Sequence, residues 1–244
     1  MKKLFTLLFL LIISFSVLAE GKHIAYDVNG QSYEGYYTSP TNNAPLVLLV
    51  HDWDGLTDYE VKRSEMLAEQ GYAVFAADLF GKGIRPTEVK DKRQHTGELY
   101  KDRRKMRALL YGALDAAQSQ GANINNAITI GYCFGGAAVL ELARADADLK
   151  GFATFHGGLS TPEGQDYSKT KAPIIVFHGT ADTAISMDDF AKLANELESA
   201  NVSHEMISYG GAPHAFTVFG SDRYREQADK QSWERFMKFL DETL

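Results

Sequence analysis

Short runs of apolar residues alternate with segments of helical periodicity along most of the chain. The apolar runs predict buried strands at residues 46–50, 72–77, 127–130, 151–155, 174–177 and 204–209. The periodic segments predict helices at about residues 57–71, 95–118, 134–145, 187–200 and 222–240. Strands that alternate with helices predict an α/β fold, with a mostly parallel twisted sheet covered by helices on both faces.

Local signals refine this pattern at a few positions. Asn29-Gly30 lies between residues 24–28 and 31–37 and predicts a β-hairpin with a tight turn. Thr57 and Glu60 form a capping-box pattern at the start of the first helix. Ser186 is a plausible N-cap for the helix that follows it. Residues 78–95 predict a long polar connection.

The N-terminus predicts a secretory signal peptide. Two lysines precede the apolar residues 4–18, and Val-Leu-Ala at 17–19 is typical of a signal-peptidase site. Fifteen helical residues would span about 22 Å, against roughly 30 Å of hydrocarbon in a bilayer. We therefore expect residues 1–19 to be removed, leaving a single domain at residues 20–244. This mature form would be exported to the bacterial periplasm or the extracellular space, with no further membrane segment.

Charge and cysteine content limit the possible partners. The net charge of −7 gives no electrostatic reason to expect a nucleic-acid partner. The chain has one cysteine, so it cannot form an internal disulfide. A lone thiol is either a small buried side chain or a functional group, and its sequence neighbours have to decide.

The segment around this cysteine matches a nucleophile elbow. Residues 131–136 read Gly-Tyr-Cys-Phe-Gly-Gly and lie between a predicted strand and a predicted helix. This is the G-x-S-x-G pattern with Cys133 in place of serine. Small neighbours allow the strained turn that presents the nucleophile above the sheet. The start of the next helix would also favour the thiolate.

Two further residues complete a catalytic triad in the predicted order. Asp182 follows the strand at 174–177, and His214 follows the strand at 204–209. Taken alone, Asp182 could be a turn residue and His214 a surface-loop histidine. Together with Cys133 they reproduce the order nucleophile, acid, histidine of α/β-hydrolases, each on a loop after a strand. We expect His214 to act as general base and acid, and Asp182 to orient it.

An oxyanion hole requires two preorganised donors. One is expected to be the backbone N–H of Phe134, directly after the nucleophile. The other is expected to be the N–H of Trp53, in the loop after the strand at 46–50. His51, Asp52 and Asp54 lie in the same loop, but their spacing matches no strong metal signature, and we expect no metal.

At these residues the sequence resembles the dienelactone hydrolase family. The motifs are the elbow at 131–136, His-Gly-Thr-Ala-Asp at 178–182 and Gly-Ala-Pro-His-Ala-Phe at 211–216. The resemblance covers roughly residues 33–240. It implies an α/β-hydrolase fold, a Cys-His-Asp triad and no metal or organic cofactor.

The resemblance also implies a gate for the thiol. In the family, an acidic residue on the loop after the equivalent of the strand at 46–50 holds the resting thiol until substrate displaces it, and Asp52 matches that position. Members that cleave dienelactone place an arginine four residues after the histidine, where this chain has Val218. The resemblance therefore supports the chemistry more strongly than it supports dienelactone as the substrate.

Further residues are expected around the substrate. Tyr132 and Phe216 flank the triad and suggest an apolar pocket. Arg85, in the connection at 78–95, could reach the site and bind an acidic substrate. Residues 156–171 are too few for a substantial cap domain, so we expect a small, open site.

The expected function is hydrolysis of small carboxylic esters or lactones through an acyl-enzyme. A thioesterase or acyl-transfer enzyme would use the same residues and the same intermediate. A catalytically idle α/β-hydrolase scaffold used for binding is the third possibility, against which the intact triad argues. No sequence pattern indicates the oligomeric state.

Overall fold

A computed structural model describes residues 21–244. The predicted signal peptide at residues 1–19 lies outside the described residues, and export stays a prediction. The elements, in chain order, are β1 (Lys22–Val28), β2 (Gln31–Thr38), β3 (Pro45–Val50), α1 (Asp58–Ala68), β4 (Ala73–Ala77), α2 (Val89–Lys101), α3 (Arg103–Ser119), β5 (Asn123–Tyr132), α4 (Phe134–Arg144), β6 (Gly151–Phe155), β7 (Ile174–Gly179), α5 (Met187–Ser199), β8 (His204–Tyr209) and α6 (Glu226–Thr243).

The described strands form one eight-stranded sheet in the order β1-β2-β4-β3-β5-β6-β7-β8. Strand β2 is antiparallel to β1 and to β4, and the remaining pairs are parallel. The carboxyl ends of β3 and β5 to β8 therefore meet at one edge of the sheet. This edge is where an open α/β sheet places its ligand sites.

Helices cover both faces of the sheet, as predicted. One core cluster contains apolar side chains of α3, α4 and α5, such as Leu110, Leu140 and Leu193. The opposite cluster contains those of α1 and α6, such as Leu67 and Phe236. Strands buried on both faces explain why the parallel strands appear in the sequence as unbroken apolar runs.

The connection after β4 differs from the prediction. Helix α2 begins at Val89, inside the segment predicted as a loop, and Asp102 separates it from α3. The Asp102 carboxylate accepts a hydrogen bond from the Lys105 N–H at 2.9 Å and so caps a second helix. Only two side chains of α2 are buried, Thr96 and Leu99. The sequence of this helix therefore shows little apolar periodicity.

The signals at the two predicted helix starts are confirmed. Thr57 with Glu60, and Ser186 with Asp189, form capping boxes at α1 and α5. Residues 156–173, between β6 and β7, contain neither helix nor strand, so no large cap domain is inserted there. No helix within residues 21–244 is both long and apolar enough to cross a membrane.

Candidate active site

Cys133 occupies a strained turn between β5 and α4. Its backbone has φ 52° and ψ −112°, a conformation that residues with a Cβ rarely adopt. The turn is held by bonds on both sides: the Cys133 N–H donates to the Phe155 carbonyl, and the Cys133 carbonyl accepts from the N–H groups of Gly136 and Gly158, each at 3.1 Å. The thiol is partly exposed. Strain at one held residue is typical of functional sites.

Two glycines make this turn possible by close backbone approach. A Cβ on Gly131 would lie 2.2 Å from the Gly135 carbonyl oxygen. A Cβ on Gly135 would lie 2.3 Å from the carbonyl oxygen of Val50, at the end of β3. The start of α4 therefore packs directly against the strand that leads into the predicted oxyanion loop, as the elbow pattern requires.

The structure brings together the three residues of the predicted triad. His214 Nε2 lies 3.0 Å from Cys133 Sγ, and His214 Nδ1 donates to Asp182 Oδ2 at 2.7 Å. The Asp182 side chain is fully buried, and that of His214 is 13% exposed. The histidine is thus held between an acid in the interior and a thiol facing the solvent edge.

Asp182 also shapes its own loop. Its second carboxylate oxygen accepts hydrogen bonds from the N–H groups of Ala184 and Ile185 at 2.8 and 2.9 Å. Burial opposes ionisation of Asp182, but the hydrogen bonds from His214 and from these amides outweigh it and lower its pKa. The residue is therefore both a turn former and the ionised partner of His214.

The electrostatics of the site favour a charged histidine. Burial alone would lower the pKa of His214, but its bonds and charge interactions with Asp182 and Cys133 raise it to about 10. A raised pKa means that the imidazolium form is stabilised near neutral pH.

The backbone N–H groups of Phe134 and Trp53 were predicted to form the oxyanion hole. Phe134 is the first residue of α4, and Trp53 lies in the turn after β3. Among residues 21–244, neither N–H donates a backbone hydrogen bond. The oxyanion hole formed by these two amides stays a prediction.

His51 fixes the loop that carries Trp53. Its Nε2 accepts from the Leu79 N–H at 3.1 Å, so Nδ1 carries the proton and donates to the Asp52 carbonyl at 2.6 Å. Burial lowers the pKa of His51 to about 4, which keeps the ring neutral. In the sequence, His51 stands out only as a possible metal ligand beside Asp52 and Asp54. In the part of the chain that the structure describes, no group of three or more His, Cys, Asp or Glu side chains is arranged to hold a metal ion.

Asp52, the predicted thiol gate, contacts its own loop. Its Oδ1 accepts from the Asp54 N–H at 2.7 Å, while the thiol is bonded to His214. Burial, and then the charge of Asp54, raise the pKa of Asp52 to about 6. The charges of Lys92 and then His214 act in the opposite direction. A contact between Asp52 and the thiol is not seen among the described residues, and its role as a gate stays a prediction.

Glu60 is a second carboxyl behind this loop. It is fully buried, and its Oε2 accepts from the N–H and the hydroxyl of Thr57, each at 2.8 Å. Burial, and then the charge of Asp52, raise its pKa to about 8. The capping-box signal located Glu60 in the sequence, but did not indicate that its carboxyl would be buried beside Asp52.

The predicted pocket residues lie elsewhere than expected. Tyr132 and Phe216 are fully buried, so they support the site from behind instead of lining it. Tyr132 stacks on Phe155, and Phe216 packs edge-on against His156. Their sequence positions beside the triad could not show this, because adjacent residues in a strand or turn point in different directions.

Arg85 is tied to its own loop. Its guanidinium donates to the Ile84 carbonyl at 2.7 Å and lies 3.6 Å from the buried Asp78 carboxylate. An acidic substrate would have to compete with both partners, and binding by Arg85 stays a prediction.

Tyr100, near the end of α2, is a site residue that the sequence did not indicate. Its ring packs edge-on against Phe134 at 5.4 Å. A Cβ on Gly158 would lie 3.3 Å from its hydroxyl. Burial raises the pKa of Tyr100, and interaction with Cys133 raises it further. Tyr100 thus lies beside Phe134 and Gly158 and is 38% exposed, and no pattern could show it, because α2 itself was not fully predicted.

The chain is similar to a known family of proteins. The model of the dienelactone hydrolase family matches residues 33–244. The chain belongs to the dienelactone hydrolase family. This match confirms the resemblance seen in the three sequence motifs, and the eight-stranded sheet has the α/β-hydrolase fold of dienelactone hydrolases.

This chain matches three similar proteins over 90% or more of their own length. A putative carboxymethylenebutenolidase of Saccharolobus solfataricus is 25% identical, over 90% of this chain and 97% of the relative. A probable 2-oxo-3-(5-oxofuran-2-ylidene)propanoate lactonase of Bradyrhizobium is 24% identical, over 87% and 90%. A solved dienelactone hydrolase-like promiscuous phosphotriesterase from metagenomic libraries is 27% identical, with a TM-score of 0.85 over 92% and 98% of the two chains. This dienelactone hydrolase family member is therefore a hydrolase that acts on esters or lactones.

Proposed function

We propose that this hydrolase cleaves small carboxylic esters or lactones with Cys133 as nucleophile, His214 as general base and acid, and Asp182 as the group that orients His214. The observation that carries the proposal is the continuous line of contacts from Asp182 through His214 to Cys133, at 2.7 and 3.0 Å. We include Asp52, in the loop after β3, as the candidate gate of the thiol.

The reaction follows from this geometry. The Cys133 sulfur attacks the carbonyl carbon, and the oxyanion binds the N–H groups of Phe134 and Trp53. The alkoxide leaves with a proton from His214, and a thioester to Cys133 remains. His214 then takes a proton from water, the hydroxide attacks the thioester, and the acid product and the thiol are restored.

A Cys133→Ala variant tests the proposal. We expect hydrolysis of p-nitrophenyl acetate by residues 20–244 to fall by at least about 1,000-fold, because the variant has no nucleophile. Rapid quenching of the unaltered enzyme should also give an acetyl adduct on Cys133 by mass spectrometry. Unchanged hydrolysis in the variant would contradict the proposal.

The substrate class needs a second comparison. Short-chain esters, lactones and acyl thioesters pass through the same acyl-enzyme, so only their relative kcat/KM values separate them. We expect esters or lactones to exceed thioesters of the same acyl group. A preference of more than tenfold for thioesters would indicate a thioesterase instead of an esterase or lactonase.

A further inference from the structure

A buried polar network lies directly behind the triad histidine. The ring of His156, at the end of β6, is fully buried and packs edge-on against the ring of His214, with 5.3 Å between ring centres. Its backbone has φ 41°, the strained left-handed region, as at Cys133. His156 contacts the triad histidine but has no role in the proposed mechanism.

Hydrogen bonds connect His156 to the first helix. His156 Nε2 lies 2.8 Å from Thr217 Oγ1, and Thr217 Oγ1 lies 2.7 Å from the Tyr59 hydroxyl. The Tyr59 hydroxyl accepts from Arg63 Nε at 3.2 Å, and Arg63 also donates to the Thr217 carbonyl at 2.9 Å. The loop that carries His214 is thereby tied to α1.

One bond of this network has a fixed direction: the Arg63 guanidinium can only donate, so the Tyr59 oxygen accepts from it. The Thr217 hydroxyl lies between the Tyr59 oxygen and His156 Nε2 and can donate to either of them. The network therefore joins the His156 ring to α1 in either tautomer of the neutral ring.

We propose that His156 is a positioning residue for the hydrolase: the chain from Arg63 through Tyr59 and Thr217 fixes the His156 ring, and this ring holds the His214 imidazole in line between Asp182 and Cys133. The proposal rests on the proposed function only in naming His214 as the base. A neutral neighbour is needed here, because a charged His156 would repel the His214 imidazolium.

The surroundings agree with a neutral His156. Burial, and then the charges of His214 and Arg63, hold its pKa well below the usual value. The titratable and charged groups near the His156 ring are those of His214, Arg63, His178 and Tyr132. Those near the His214 ring are Asp182, Cys133, His156, His178 and Asp52. A test must therefore change the His156 network without changing any of these groups.

Alkylation of the lone cysteine provides such a test. Because the chain has one cysteine, the iodoacetamide rate as a function of pH reports on the Cys133–His214 pair without any substrate. In Thr217→Val, which removes the hydroxyl and keeps the shape, we expect the midpoint of this profile to move up by at least about half a pH unit. The kcat for p-nitrophenyl acetate should fall about tenfold with little change in KM.

Matched variants separate positioning from stability. Thr217→Ser keeps the hydroxyl and should restore the unaltered profile. Tyr59→Phe should also shift the midpoint upward, by a smaller amount. If Thr217→Val does not fold, Tyr59→Phe provides the test of the positioning role. Thr129→Val removes a buried threonine hydroxyl that donates to the Leu48 carbonyl, and should lower stability without moving the midpoint.

The outcomes are distinct. Alkylation profiles of Thr217→Val and Tyr59→Phe that coincide with that of the unaltered enzyme would overturn the positioning role. Esterase activity that survives in Cys133→Ala would instead overturn the proposed function, while the alkylation profile would still report on His156.

Discussion

Cys133 combines a reactive position with an unfavourable backbone. Its positive φ is held by hydrogen bonds to Phe155, Gly136 and Gly158. Strain of this kind costs on the order of 1–3 kcal/mol, and the surrounding structure has to offset it. The turn therefore trades stability for exposure of the thiol.

This strain predicts an ordering of two inactive variants. Cys133→Gly should be about 1 kcal/mol more stable than Cys133→Ala, because glycine adopts positive φ without a Cβ clash. Both variants lose the thiol and its contact with His214, so alanine is the matched control. Urea unfolding measures the difference. Equal stability, or a more stable alanine variant, would show that the turn is not strained.

Glu60 predicts a pH dependence of stability. The pKa of Glu60 is raised from 4.5 to about 8 in the folded state. Its contribution to the free energy of unfolding is therefore fully present below pH 4.5 and is lost as pH rises through 8. Glu60→Gln keeps an acceptor for Thr57 and cannot ionise. We expect the unfolding free energy of this variant to rise relative to that of the unaltered enzyme by on the order of 4 kcal/mol between pH 5 and pH 8.5.

Thermal or urea unfolding across this pH range measures the effect. Glu69→Gln, at an exposed position just after α1, is the control and should leave the pH dependence as it is. If Glu60→Gln loses stability with pH as steeply as the unaltered enzyme, the buried carboxyl is not the responsible group.

At the scale of elements, each site residue lies where an element begins or ends. Cys133 precedes α4, Asp182 follows β7, and His214 follows β8. The start of α5 is close to Asp182 but is held separately, by the capping box of Ser186 and Asp189. Asp182 is instead held by the amides of its own loop.

This separation predicts a stability effect without a catalytic one. Ser186→Ala should lower the free energy of unfolding by about 1 kcal/mol, because it removes the cap of α5. The kcat/KM for p-nitrophenyl acetate should stay within about twofold. Ser199→Ala, at the other end of the same helix, is the control for stability. A large loss of activity in Ser186→Ala would mean that the cap also positions Asp182.

At the scale of the whole molecule, a buried ion pair joins the first and last helices. Arg63 on α1 bonds to Asp229 on α6, and both side chains are almost fully buried. The Arg63 guanidinium also lies 4.2 Å from the Phe219 ring centre and 4.9 Å from that of Trp233. One buried cation therefore links α1, α6 and the segment after His214.

Removal of its partner should be severe. Asp229→Ala leaves Arg63 buried without its carboxylate and should cost about 3–5 kcal/mol of unfolding free energy. Glu205→Ala, which breaks the partly exposed pair with Arg235, should cost at most about 1 kcal/mol. Calorimetric or urea unfolding compares the two. Similar costs would show that burial does not control the strength of these pairs.

The sequence by itself determined the α/β order of the sheet strands and most helices, and it predicted the three residues that the structure brings together as Cys133, Asp182 and His214. Buried parallel strands are continuous apolar runs, and the elbow needs small residues at fixed spacing around Cys133, so both leave a local pattern. Helix α2 was predicted only in part, since it buries too few side chains for a clear period.

Only the tertiary structure decided which side chains surround the triad. Tyr132 and Phe216 adjoin it in the sequence but lie buried behind it, whereas Tyr100 and His156 reach it from other elements. Their roles depend on contacts between residues far apart in the chain, such as the 61 positions between His156 and Thr217. Spacing along one chain records local geometry, and it does not record which distant side chains the sheet brings together.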